Sequence, residues 1–251
     1  MGLDSDLEKI PPQLQKAKAP LFEFNREIID STSDLVCAFK PQIAFYAARG
    51  LERDLELTIT YIHENHPDIP VILDAKRGDI GSTAEMYARE AFDRYGADAV
   101  TVNPYLGTDA LEPFLDRMDK GVIILCRTSN PSATDIQDLE VQGEKLYRII
   151  ANKAAREWNR NGNVLLVVGA TYPRELQEIR ALVDNIPFLV PGIGAQGGDI
   201  EKAVINGKDK DGTGMIINSS RGIIYAGEGK NFAQAARTAA LRLKDEINRY
   251  R

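Results

Sequence analysis

The chain has 251 residues, 43% hydrophobic and 27% charged, with a formal net charge of −6. That length accommodates one large α/β domain or two small ones and buries a sizeable core. The acidic balance argues against a general nucleic-acid or anionic-membrane surface but leaves room for a local basic pocket around a phosphorylated ligand.

No apolar run approaches the ~20 residues of a membrane span. No charged-then-apolar signal peptide opens the chain, so a cytoplasmic location is expected. Cys37 and Cys126 both lie in apolar, strand-like runs, which suits reduced core thiols, and their spacing offers no zinc site. The two histidines, His63 and His66, fall in a polar helix end before Pro67 and read as surface residues, so a histidine-centred mechanism is not expected.

In chain order, Gly2-Leu3-Asp4 reads as the end of a first strand, cut short because its upstream residues lie outside this sequence. Seven short apolar, β-branched runs follow: 35–39, 71–73, 99–102, 122–126, 164–168, 188–190 and 215–217. Amphipathic helical segments fall at 42–64, 81–95, 142–160, 173–184 and 231–249. Strict alternation means a parallel sheet, and eight units in this length match a (β/α)8 barrel, an α/β fold, forming one domain over residues 1–251. An open doubly wound sheet is the structural rival. The polar segment 128–140 is the longest apparent loop, of the kind that often binds or covers a ligand.

In a barrel the first residues after each strand share one rim, where active sites sit. That rim would hold Asp4, Lys40, Asp74 with Lys76, Asn103, Arg127 to Ser129, Gly169, Gly192 to Gly197, and Ser219 to Arg221. Asp74 and Lys76 are two apart on a strand and so point to one side. A charged pair there is costly to desolvate, and stability alone is a poor reason for it. Lys40 taken alone suits a solvated strand end. Beside Asp74 and Lys76 it completes an alternating charge array able to hold an ammonium protonated and aim it at a carbanion. Asp79 suits either that array or an N-cap for the helix that begins near Gly81.

Pro191 to Asp199 contains a formal G-x-G-x-x-G match. No clean strand with an acidic end follows at the dinucleotide spacing. A phosphate loop after the seventh strand accounts for the glycines better, with a plain turn into a helix as the bland alternative. Arg221, at the end of the last strand, offers a forked clamp for phosphate, and loops seven and eight are where such barrels bind phosphate.

Asp74-x-Lys76-x-x-Asp79-Ile80 resembles the signature of the orotidine 5′-phosphate decarboxylase family. The likeness extends through Gly2 to Asp6, Lys40, Arg127 to Pro131, Pro191 to Gly198 and Asn218 to Gly222, nearly the whole chain in order. The wording is nearest the longer bacterial subgroup. The resemblance implies cofactor-independent decarboxylation of orotidine 5′-phosphate to UMP and CO2, the last step of de novo pyrimidine nucleotide synthesis, with no metal. It implies that Lys76 protonates C6 and that Lys40, Asp74 and Asp79 complete a charged tetrad. Asp79, with Thr83, would reach the opposite subunit of a homodimer. Asp4 would hold the ribose hydroxyls and Ser129 the pyrimidine. Gln196 and Arg221 would hold the phosphate, with backbone help near Gly194 and Gly222. The chain departs from the family in lacking the usual N-terminal helix and fuller first strand, which bears on where Asp4 sits.

The nearest alternative is a magnesium-dependent sugar-phosphate decarboxylase or aldolase with the same Asp-x-Lys-x-x-Asp pattern, although the Arg-Thr-Ser-Asn-Pro loop favours the pyrimidine enzyme. A Schiff-base aldolase is disfavoured because flanking carboxylates keep Lys76 charged. A ligand sensor that has lost its chemistry is the non-enzymatic reading.

Overall fold

The structure, a computed structural model, describes residues 1–193 and 197–251. The apolar runs of the sequence become eight parallel strands: β1 (Gly2–Leu3), β2 (Lys40–Pro41), β3 (Ile72–Arg77), β4 (Ala99–Val102), β5 (Gly121–Arg127), β6 (Val164–Val168), β7 (Phe188–Val190) and β8 (Met215–Ile217). Strands β3 to β8 form one sheet in chain order. β1 pairs with β2, and bridges at Phe39–Val71 and Gln42–Asp74 join β2 to β3. Gly2 N donates to Ser219 O at 2.8 Å, which closes the ring between β8 and β1. The result is a (β/α)8 barrel, and the open-sheet rival is excluded by that closure. Short as it is, β1 is seated: Leu3 is fully buried and Lys40 N donates to Met1 O at 2.8 Å.

Helices clad the outside. Those at Pro173–Val183 and Phe232–Asn248 fall where the sequence periodicity places them. The segment 42–64 breaks instead into Ile43–Ala47 and Glu52–Asn65, because the chain turns at Gly50 with φ +65°. The segments 81–95 and 142–160 each end in a wide π turn, at Glu90–Arg94 and Ala154–Trp158. The start of the second is taken by a hairpin, Glu140–Val141 with Glu144–Lys145. Pro20–Thr32 and Thr108–Leu115, which carries Pro113 inside it, are helices beyond those the periodicity places, and Ile200–Gly207 is the helix that follows the glycine-rich stretch.

The run 35–39 is shifted from its predicted role. Ser33–Leu35 is a 3-10 turn and pairing begins only at Phe39, because Leu35 and Val36 spend their apolar surface on the outer core while approaching the strand. Cys37 is consequently exposed rather than a core thiol, whereas Cys126 is buried as expected.

Inside the barrel, Ala38, Ile72, Ala99, Ile123, Val167 and Leu189 pack as one apolar plug. The second, larger core lies between sheet and helices. The barrel is therefore filled, not a pore. Among the described residues no helix is long and apolar enough to cross a membrane.

Candidate active site

At the carboxyl ends of the strands the plug gives way to a cavity of about 730 Å³, with Leu125, Val167 and Leu189 on its wall. Asp4, Lys40, Asp74, Lys76, Ser129 and Arg221 all line it, so the structure gathers six sequence candidates from five loops into one space.

Asp74 is the hub. Lys40 Nζ lies 2.8 Å from its Oδ2, and Lys76 Nζ lies 2.5 Å from its Oδ1. Lys40 also lies 3.9 Å from Asp4 Oδ1. Asp74 and Lys40 are buried, at 8% and 4% exposure. The Lys76 side chain, at 45%, faces the open cavity. Burial alone would raise the Asp74 carboxyl, but the Lys40 and Lys76 ammoniums outweigh it and hold it at about 2. Asp74 is thus an anion at any working pH and keeps two cations beside it.

The pairing does not arise from plain strand alternation. β3 slips register against β4 between Leu73 and Arg77, and Lys76 sits in the left-handed region with φ +47°. Such a conformation persists in a non-glycine residue only when its surroundings enforce it. Here Thr101 does so: its hydroxyl accepts from Ala75 N and Lys76 N, both at 2.9 Å, and donates to Asp74 Oδ1 at 3.0 Å. Thr101 escaped the sequence reading. Its signal was a hydroxyl inside the otherwise apolar run Ala99–Val102.

The remaining candidates divide. Ser129 is held by close approach to Gly169, where an added Cβ would come within 2.8 Å of Ser129 Cα. Arg221 opens a short helix, Arg221–Ile224, and is exposed on the rim, whereas Gly222, the next residue, is exposed but does not line the cavity. Gly194 and Gln196 lie outside the described residues. On either side of them, Gly192 has φ +100°, and Gly198 packs on Gly192 O, where a Cβ would meet it at 2.7 Å. Both features need glycine. Asp199 then caps the helix Ile200–Gly207 through Lys202 N, so the bland turn-into-helix reading of this stretch also holds.

Asp79 and Thr83 do not line the cavity of their own chain. Asp79 accepts from Ile80 N at 2.8 Å and does not cap the helix Gly81–Arg89, whose N-cap is Ile80. Asn103, Arg127, Gly169 and Ser219 leave the rim set as well. Asn103 caps the turn Pro104–Leu106, and Arg127 is fully buried beneath the loop. Unforeseen lining residues include Asp6, Lys9, Gln42, Gln137, Asn218 and Tyr225.

A closed barrel with a lysine–aspartate–lysine array at its mouth, and no histidine among the described residues that line the cavity, has the build of a (β/α)8-barrel enzyme. The chain belongs to the family described as Orotidine 5′-phosphate decarboxylase / HUMPS, which it matches over residues 15–236. An orotidine 5′-phosphate decarboxylase from Dechloromonas aromatica is 59% identical over 251 residues, which covers all of this chain and 93% of that protein. Leishmania donovani OMP decarboxylase superposes with a TM-score of 0.84 at 40% identity, covering 99% of this chain and 91% of that one. Leishmania donovani UMP synthase gives 0.88 at 42% identity over the whole of this chain, which spans 52% of that longer protein.

Proposed function

We infer that residues 1–251 act as one barrel domain that decarboxylates orotidine 5′-phosphate to UMP and CO2, without a cofactor, in the cytoplasm. The observation that carries this is the Lys40–Asp74–Lys76 array, at 2.8 and 2.5 Å, set in a rim cavity of about 730 Å³ that Arg221 also lines. The alternative of a magnesium-dependent sugar-phosphate enzyme finds no support in relatives that carry the decarboxylase name at 55–59% identity.

In the reaction the bond from C6 to the carboxylate breaks and its electron pair stays on C6. Lys76, paired with Asp74 at 2.5 Å, stabilises that developing anion and delivers a proton to it. Lys40 anchors Asp74 and, through Asp4, links the array to the ribose. Ser129 meets the pyrimidine. Arg221, with Gln196 and the backbone near Gly194 and Gly222, grips the phosphate. That binding energy, remote from the reacting bond, closes the rim loops over the preformed charge array.

Asp79 and Thr83 serve the opposite site of a homodimer. Their exclusion from their own cavity supports this, as do the exposed apolar side chains beside them, Ile80 at 58% and Met86 at 50%.

The ultraviolet decay of orotidine 5′-phosphate, followed with and without EDTA, tests the reading. Turnover is expected to be indifferent to chelator and abolished in Lys76→Ala. Near-normal turnover by that variant removes the central claim. Arg221→Ala is expected to weaken use of the phosphorylated substrate far more than of bare orotidine, and equal losses would count against the clamp.

A further inference from the structure

Arg127 ends β5 and belongs to the rim by sequence, yet it is fully buried and does not touch the cavity. Its guanidinium lies 3.9 Å from the centroid of the Tyr172 ring. Its arms reach the far end of the loop that begins at Thr128. Nη1 donates to Gln137 Oε1 at 3.3 Å and Nη2 to Asp138 Oδ2 at 3.5 Å, while Nε lies 3.4 Å from Asp138 Oδ1. Arg127 Nε and Asp138 Oδ1 are both buried and make no hydrogen bond, so this 3.4 Å ion-pair approach is their nearest charged contact.

Gln137 carries the connection back to the loop's start. Its carbonyl accepts from Thr128 N at 2.9 Å and its amide donates to Thr128 Oγ1 at 2.8 Å. Thr128 Oγ1 in turn donates to Asn130 Oδ1 at 2.6 Å. Between Thr128 and Asn130 stands Ser129, whose carbonyl accepts from Thr171 Oγ1 at 3.3 Å and whose Cα rests on Gly169.

A buried guanidinium is a costly way to stabilise a loop, and an apolar side chain of similar volume commonly serves as well. What the fork supplies is direction: a rigid, planar set of donors fixes two chain ends at once. We propose that Arg127, acting with Asp138 through Gln137, is a positioning residue that sets Ser129 against the substrate's ring. This rests on the pyrimidine contact assigned to Ser129 above.

A double-mutant cycle tests it. Arg127→Lys keeps the charge but loses the fork, and Asp138→Asn, at a partly exposed position, keeps the shape but loses the ion pair. Each is measured for kcat and KM with orotidine 5′-phosphate, alone and combined with Ser129→Ala, with urea unfolding as a check on folding. Displacement of Ser129 by about 1 Å is expected to lower kcat/KM roughly 10- to 100-fold. In the Ser129→Ala background the same substitutions should then cost less than about 2-fold, because the group they position is gone. Equal costs in both backgrounds overturn the proposal, as does a Ser129→Ala variant of normal activity. If Arg127→Lys fails to fold, Asp138→Asn carries the cycle alone. A wild-type chain that leaves the substrate untouched refutes the function itself, which is a distinguishable failure.

Discussion

Thr101→Val is the sharpest test of how the site is held. Valine keeps the shape and removes one hydroxyl, which is 1% exposed and serves three partners. Two backbone N–H groups, of Ala75 and Lys76, lose their acceptor, and one Asp74 oxygen loses a donor. Each amide left unpaired costs about 1–3 kcal/mol. Both are only partly buried, so water can recover some of the loss, and the low end applies. The sum is about 2 kcal/mol, a fall in melting temperature of about 4–8 °C for a chain of this length. The larger effect is catalytic. Lys76 keeps φ +47° because Thr101 grips its amide. Released, β3 relaxes and Nζ moves from its place, and a shift of 1 Å is expected to cost about 100-fold in kcat. KM should change little, since the phosphate and ribose contacts are untouched. Steady-state kinetics with calorimetry on Thr101→Val and Thr101→Ser provide the assay. Serine, which retains the hydroxyl, should recover most of kcat. A valine variant with kcat within about 2-fold of wild type would show that the bulge holds itself and that the argument from Thr101 is wrong.

Three other outcomes are expected. The folded Asp74 carboxyl sits at about 2, below its unfolded range, so its ion pairs stabilise the fold above about pH 4 and that stability is lost as pH falls through about 2. Urea unfolding of wild type against Asp74→Asn should therefore show a gap of about 2 kcal/mol near pH 5 that narrows towards pH 2, and a gap indifferent to pH would contradict the assignment. Gly169→Ala drives a methyl to 2.8 Å from Ser129 Cα and Cβ, and kcat/KM should drop while the fold survives. Unchanged kinetics would mean that the loop yields freely. Lys76→Ala and Asp79→Ala subunits, each inactive alone, should regain roughly a quarter of wild-type activity when refolded together, because half the dimers are hybrids and each hybrid has one intact site. Absence of any recovery would place Asp79 in its own subunit's site or in none.

The barrel was legible because its interior demands one apolar, β-branched stretch per strand, and β3 to β8 obey. β2 was misplaced because Leu35 and Val36 are apolar for another reason: they pack against the outer core. The helix Thr108–Leu115 stayed hidden behind Pro113, and Pro20–Thr32 went unremarked although Pro20 occupies its first turn. In the site, charged residues at strand ends were readable one by one, because each is out of character with the apolar run before it. Arg127 passed the same test and yet turned inward, since a strand end does not reveal whether the next loop folds over it. Thr101 and Gln137 show the opposite limit. Gln137 is ordinary in its local sequence and the Thr101 hydroxyl is at most a weak signal in an apolar run; each matters through partners 25 to 27 (Thr101) and 9 to 10 (Gln137) residues away that the fold brings near.

The geometry also explains why two cations flank a single carboxylate. One lysine beside Asp74 would form a closed ion pair, with its charge spent on the partner. Here Lys40, at 4% exposure, already holds Oδ2 and lies within 3.9 Å of Asp4. Oδ1 is shared between Lys76 and the Thr101 hydroxyl. Lys76 is thus oriented by an anion whose charge is largely committed elsewhere, and its own ammonium keeps N–H bonds free for the cavity. Because these groups are fixed before substrate enters, little reorganisation is left for the moment when charge develops on the ring. The buried Lys40 and the strained backbone at Lys76 are costs to folding, and under the proposed function both would be the means of presenting one aimed proton.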